Sequence, residues 1–251
     1  MTRALALVVL LVACGGKAAG HRAAGALRLR AGDVAGALGE LRAAVQESPA
    51  DAEAWALLGN ALFEAQRYEE AEKSYRSALD LDRSSRPVRR SLAQLAVRRG
   101  RLPEAERLLR ELVAEAPRDP DLQLSLGTLL ASRGDVHGAK AAFGQALVAA
   151  PRSAAALYDL GRAHLRTGDL AGAEMAFQRL DRVKPEAPYA PYGLALVHAR
   201  RHENEPACAA LRAALGRALF DRRAAERDPE LAPVRHLSCF NELLAAREGR
   251  P

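Results

Sequence analysis

The sequence predicts an all-α fold: six consecutive helix pairs stacked as a right-handed α-solenoid, closed by a C-terminal capping helix. Three observations carry this. Alanine recurs at Ala37, Ala71, Ala105, Ala139, Ala173 and Ala207, and every interval is 34 residues. Twelve positions before each alanine stands a small residue, Gly25, Gly59, Ala93, Gly127, Gly161 and Ala195. Four positions after it stands a large apolar one, Leu41, Tyr75, Leu109, Phe143, Phe177 and Leu211. Finally, apolar residues make up 49% of the chain but aromatics only 4%. Alanine and leucine dominate, which favours helices over strands. A fixed period of this length marks one supersecondary unit repeated along the chain.

The chain opens on a different signal. Residues 4–13 are apolar, with Arg3 the only charge before them, and the run stops at Cys14-Gly15-Gly16. It is about half the length needed to cross a bilayer as a helix. A basic start, a short apolar core and small residues at the end suit a secretory signal. Leu11-Val12-Ala13-Cys14 resembles the lipobox of bacterial lipoproteins, in which a peptidase cuts before the cysteine and the cysteine carries lipid. That resemblance implies a signal peptide over 1–13, lipidation at Cys14 and a short linker over 14–17. It also implies a cell-envelope location, with the periplasmic face of the outer membrane expected because Gly15, not aspartate, follows the cysteine.

The six pairs then fall at 18–51, 52–85, 86–119, 120–153, 154–187 and 188–221. In each, the small residue of the first helix and the alanine of the second allow close approach, and the larger apolar residue fills the space beside the alanine. Gly32, Gly100, Gly134 and Gly168 fall between paired helices, where a left-handed residue is wanted. Pro49, Pro117, Pro151 and Pro185 fall between successive pairs, where a missing N–H costs least; Arg83 and Leu219 replace proline in the second and sixth. The pattern resembles the tetratricopeptide repeat family over residues 18 to about 221, most clearly in WALLGNALFEAQRYEEAEKSYRSALDLD (55–82) and LSLGTLLASRGDVHGAKAAFGQALVAAP (124–151). The tryptophan typical of the first helix occurs only as Trp55.

Residues 222–251 form the expected cap. The stretch from Asp228 to Arg235 resembles the end of many tetratricopeptide chains, and Phe240, Leu243 and Leu244 make one apolar face that would cover the sixth pair. The chain has three cysteines. Lipid would consume Cys14, leaving an even number for an oxidising compartment. Because the cap folds onto the helix that carries Cys208, a Cys208–Cys239 disulfide is expected; two buried free thiols are the alternative. Such a bridge would close a loop of about thirty residues and contribute roughly 2–4 kcal/mol.

Little in the sequence suggests catalysis. His198 and His202 have the spacing of metal ligands, but His202 sits at an expected turn and HENEP is not a zinc-protease pattern. No phosphate-binding loop or nucleophile motif is present, so neither an enzyme, a metal nor a cofactor is expected. The formal charge of +6 is spread along the chain, with no basic tail and no nucleic-acid motif.

The resemblance implies instead a concave surface lined by the first helices. Its inward positions here are Arg22, Arg30, Glu53, Asn60, Glu64, Arg90, Gln94, Arg98, Asp121, Thr128, Tyr158, Arg162, Arg166, Tyr189, Tyr192 and Arg200. Seven arginines against three acids make a basic groove, with tyrosines toward its C-terminal end, and both residue types dominate binding hot spots. The expected occupant is a protein or peptide segment, acidic or ending in a free carboxylate. Some co-chaperones of the family clamp such a carboxylate, but Ala56 replaces one required basic residue, so the full clamp is absent. In architecture the chain is similar to the pilotin-like lipoproteins of the type IV pilus secretin. The expected function is a membrane-anchored scaffold in assembly of an envelope machine. The alternative is a non-catalytic docking regulator of a peptidoglycan or protease enzyme.

Overall fold

Small-against-large packing between paired helices organises the whole chain. The computed structural model describes residues 2–217, 227, 229–235 and 240, and for 2–15, 230, 233 and 234 the backbone alone. Among the described residues twelve helices have bounds, in order: α1 (Thr2–Arg30), α2 (Val34–Glu47), α3 (Ala52–Glu64), α4 (Tyr68–Leu81), α5 (Arg86–Arg98), α6 (Leu102–Glu115), α7 (Pro120–Ser132), α8 (Val136–Ala149), α9 (Ala154–Arg166), α10 (Leu170–Val183), α11 (Tyr189–Arg200) and α12 (Asn204–Leu215). A short 3-10 segment, Pro229–Val234, follows. Among the described residues there is no strand. Residues 14–17, expected as a lipidated cysteine and linker, lie inside α1, so the glycine pair does not interrupt the helix.

The chain forms two compact units, Met1–Leu112 and Val113–Pro251. In the first, the core joins Ala37 and Leu41 to Leu58, Ala71, Tyr75 and Leu95. In the second it joins Phe177 to Leu157, Leu165, Val197 and Leu211, and Leu231 and Phe240 of the C-terminal segment are buried in the same cluster. Leu243 and Leu244 lie outside the described residues, as does Cys239. Cys208 is buried on α12 and disulfide-bonded.

All six repeat alanines are buried to within 1% exposure, as are Ala93 and Ala195. The four glycines of the set are there for contact. A Cβ on Gly59 would meet the Tyr75 ring at 2.5 Å, and one on Gly127 the Phe143 ring at the same distance. Those rings are themselves almost fully buried, at 2% and 1% exposure, so they have no room to yield.

The turns within pairs repeat with the same fidelity. Gly32, Gly100, Gly134 and Gly168 have φ between 71° and 87°, and Gln66 and His202 take φ of 59° and 60° at the same register. The Asp135 N–H reaches the Leu130 carbonyl and the Gly134 N–H that of Ala131, the paired bonds of a helix ending in a left-handed residue. His202 is therefore a turn residue, and the left-handed strain it and Gln66 carry is that of side-chain-bearing residues at a glycine position.

The turns between pairs explain two of the missing tryptophans. The Trp55 indole donates to the Pro49 carbonyl at 2.8 Å. At the equivalent position Gln123 donates to Pro117 at 2.9 Å, and Arg89 reaches the Ser84 carbonyl at 3.4 Å. Three residue types thus supply a side-chain N–H to this turn, while Leu157 and Pro191 at the same register carry none.

One buried charge ties the middle of the first unit together. The Glu72 side chain, on α4, is 8% exposed and meets three arginines: Arg76 on its own helix, Arg99 at 2.7 Å and Arg101 at 2.9 Å. Burial pushes the carboxyl pKa up, but the Arg101 hydrogen bonds and the charges of Arg76, Arg101 and Arg99 outweigh it and hold it below its ordinary 4.5.

Two outcomes follow from this packing. Gly59→Ala lowers stability by about 1–3 kcal/mol through overpacking, whereas Gly144→Ala, with nothing within 4 Å of the new methyl, raises it by up to about 1 kcal/mol through helix propensity; urea denaturation of both variants measures the contrast. Glu72→Gln costs roughly 2–3 kcal/mol at pH 7, since it leaves the arginines uncompensated. Because the folded pKa lies below the unfolded one, the carboxylate's stabilisation is complete above the unfolded value and lost as pH falls through the folded value. The gap between the two proteins therefore narrows below about pH 4, as thermal melts across that range would record.

Candidate functional site

The first helix of each pair turns its small residue toward its partner and the adjoining positions away from it. Residues four apart share a face, so Asn60 and Glu64 lie together on α3, Arg90, Gln94 and Arg98 on α5, and Tyr158, Arg162 and Arg166 on α9.

In the first unit this face holds a cleft of about 350 Å³, lined by Leu29, Gly32, Val34, Asn60, Phe63, Glu64, Tyr75 and Gln94. Three of the expected groove residues, Asn60, Glu64 and Gln94, are thus brought to one place. The Tyr75 hydroxyl donates to Asn60 Oδ1 at 2.9 Å, and the Ser91 hydroxyl approaches the same oxygen at 3.5 Å. With the amide oxygen fixed this way, the Asn60 amino group is left to donate into the cleft. Burial pushes the Tyr75 pKa up to about 12, assisted by the Glu64 charge and opposed by the Ser91 hydrogen bond, so the phenol stays neutral. Arg90 is half-buried and Arg98 exposed, and neither lines the cleft.

In the second unit Tyr158 and Tyr189 stand 5.5 Å apart, tilted by 58°. The Arg162 guanidinium lies 5.9 Å from the Tyr158 ring centre, close enough for a cation–π contact. Tyr189 is 50% exposed, and Tyr192 is half-buried against the core. Beside them Asp159 lies 3.5 Å from the Thr128 hydroxyl. Burial raises its carboxyl pKa, against the Arg162 charge and the Thr128 hydrogen bond.

Several expected groove arginines have structural work instead. Arg166 donates to the Ala131 carbonyl at 2.8 Å and Arg200 to the Leu165 carbonyl at 2.5 Å. Each adds a side-chain donor to a carbonyl at the C-terminal end of the first helix one pair earlier, beside the turn N–H of Gly134 or Gly168 that the same carbonyl already accepts. Arg22 pairs with Asp51, the N-cap of α3, at 2.8 Å and with Glu53 at 3.1 Å. Sequence spacing placed these side chains on the concave face but could not show which were already occupied.

The histidines also serve the fold. His198 Nδ1 lies 2.6 Å from Glu203, and His164 Nδ1 lies 2.6 Å from Asp169. Arg28 and Asp33 make the same bridge in the first pair at 3.0 Å. These contacts join the end of a first helix to the start of its second. Among the described residues no cluster of side chains is arranged to hold a metal ion, and no helix is long and apolar enough to cross a membrane.

Comparison with known proteins agrees with this geometry. A family model described as the tetratricopeptide domain of cytochrome c-type biogenesis protein H matches residues 35–154, and a general tetratricopeptide repeat model matches 124–191. No curated protein matches the chain. Among solved structures, PilF of Pseudomonas aeruginosa superposes with a TM-score of 0.72 at 17% identity, over 87% of this chain and 96% of that one. PilW, described as a widely conserved type IV pilus biogenesis factor, gives 0.70 at 19% identity, over 85% and 96%. A chain of the APC/C assembly Cut9–Hcn1 gives 0.67 at 19% identity over 86% of this chain. The match spans only 42% of that longer protein. At these identities the likeness is one of fold.

The arginine contacts make the stability of the groove face testable. Arg166→Ala should cost about 1 kcal/mol, the net worth of one hydrogen bond whose acceptor keeps its backbone donor, while Arg98→Ala should stay within about 0.5 kcal/mol. Chemical denaturation of the two variants distinguishes them.

Proposed function

Because the chain belongs to the tetratricopeptide repeat family, we propose that it is a lipid-anchored scaffold of a bacterial cell envelope whose first helices capture a segment of a partner protein. Tetratricopeptide arrays bind protein or peptide partners. The observation that carries the reading is the cluster of Tyr158, Arg162 and Tyr189. It brings a half-exposed Tyr189 ring, a partly buried Tyr158 ring and a guanidinium together on adjacent first helices, the side chains that most often anchor interfaces. The stretch 83–103 adds seven arginines and no acid. Glu72 engages Arg99 and Arg101, and Arg89 reaches the Ser84 carbonyl; Arg83, Arg86 and Arg98 favour an acidic segment or a C-terminal carboxylate through forked hydrogen bonds.

The anchor is lipid on Cys14, as the run before it suggests, at the periplasmic face of the outer membrane. Tethering raises the partner's effective concentration without adding a contact. A single acyl chain holds only marginally, so more than one is expected. The likeness to PilF and PilW supports assembly of a type IV pilus or its secretin as the process served. The family model over residues 35–154 supports a second reading, in which the process is cytochrome c biogenesis.

Photocrosslinkers at Tyr158, Tyr192 and Arg98, with Lys140 as control, test the scaffold in intact envelopes. The expected result is one protein captured from the groove positions and not from the control, its identity deciding between pilus and cytochrome machinery. Equal background at all four positions would remove the groove as the binding face.

A further inference from the structure

The cleft of the first unit differs in charge from the arginine-rich stretch 83–103 of the same unit. Its one acidic wall residue is Glu64, and the buried Tyr75 phenol stays neutral. Leu29, Val34 and Phe63 form apolar wall, and Gln94 and Asn60 bring amide groups to the same space. An apolar channel with a carboxylate and an amide oxygen suits a side chain with an alkyl stem and a cationic head, which buries its methylenes while its head finds acceptors. A carboxylate placed there would instead face Glu64 at close range, a like-charge contact that costs free energy. The volume of about 350 Å³ is ample for one long side chain and too small for a folded element.

We propose that this cleft is a subsite for a lysine or arginine side chain of the bound partner segment. The proposal rests on the reading that the first helices hold such a segment, and it gives that segment mixed charge: a cationic residue for the Glu64 cleft beside acidic residues for the arginines. Glu64 takes the ammonium or guanidinium, Gln94 Oε1 accepts a second hydrogen bond, and the Asn60 amino group, oriented by Tyr75, donates to a carbonyl of the segment's backbone. Glu64 therefore sets the charge preference and Asn60 the placement.

The test uses the full chain and three capped tripeptides, Ac-Ala-Lys-Ala-NH2, Ac-Ala-Glu-Ala-NH2 and Ac-Ala-Nle-Ala-NH2, titrated while the side-chain amide signals of Asn60 and Gln94 are followed by NMR. The lysine peptide is expected to move both signals, at least threefold more than norleucine, with the response falling at least fivefold in Glu64→Gln. Glu64 is exposed, so that variant should keep the parent's melting temperature, which is checked alongside. A lysine peptide that moves neither signal, a glutamate peptide that moves them as far, or a response unchanged in Glu64→Gln would overturn the subsite. The broader scaffold reading is scored separately, by capture through Tyr158 and Tyr192. Capture that persists while the lysine response fails removes the subsite alone. The converse pattern removes the scaffold and leaves a cation-binding cleft.

Discussion

The structure depends on how closely two paired helices can approach. That distance is set where a residue without a bulky side chain meets a large ring or leucine sixteen positions later, as Gly59 meets Tyr75 and Gly127 meets Phe143. The ring gains near-complete burial, worth roughly 1.5–3 kcal/mol for a large side chain, and both helices are locked in register by the same contact. With that register fixed, the neighbouring residues of the first helix are turned away from the partner. Asn60, beside Gly59, comes to face the cleft, with its amide oxygen held by the same Tyr75 that fills the packing site. Packing and binding surfaces therefore share an anchor.

Around this contact the charged residues divide into structural and displayed sets. Glu72 draws in Arg99 and Arg101, and helix-end carbonyls take Arg166 and Arg200. The first closes a corner within its unit, and the others add a side-chain donor to helix ends whose carbonyls the turn N–H groups already reach. The exposed set includes Arg30, Arg98 and Glu64 in the first unit and, in the second, Arg162, which lies over the Tyr158 ring. A groove that counts as strongly basic by composition is thus less basic in what it offers a partner.

The repeat was legible in the sequence because its cause is local and periodic. An alanine every 34 residues, paired with a small residue before it and a large one after, can satisfy only one packing geometry. The left-handed turns at Gly32, Gly100, Gly134 and Gly168 were legible for the same reason, whereas Gln66 gave no sign of its positive φ because side-chain residues adopt it at a cost. Gln123 and Arg89 likewise concealed that they do the work of Trp55, since what the three share is an N–H aimed at a turn carbonyl and not a residue type. The groove was legible as a set of positions, and Asn60, Glu64 and Gln94 do converge. The fates of Arg22, Arg166 and Arg200 were not, because they depend on contacts 29 and 35 residues apart that no local pattern encodes.

The account's central claim is that the first helices, and not the second, meet the partner. Hydrogen–deuterium exchange of the full chain, free and bound to the captured partner, tests it most directly. The account predicts slowed exchange in α3, α5, α9 and α11, with α4, α8 and α10 unchanged. Protection confined to α4, α8 and α10 would contradict it and move the binding face to the opposite side of the helix pairs.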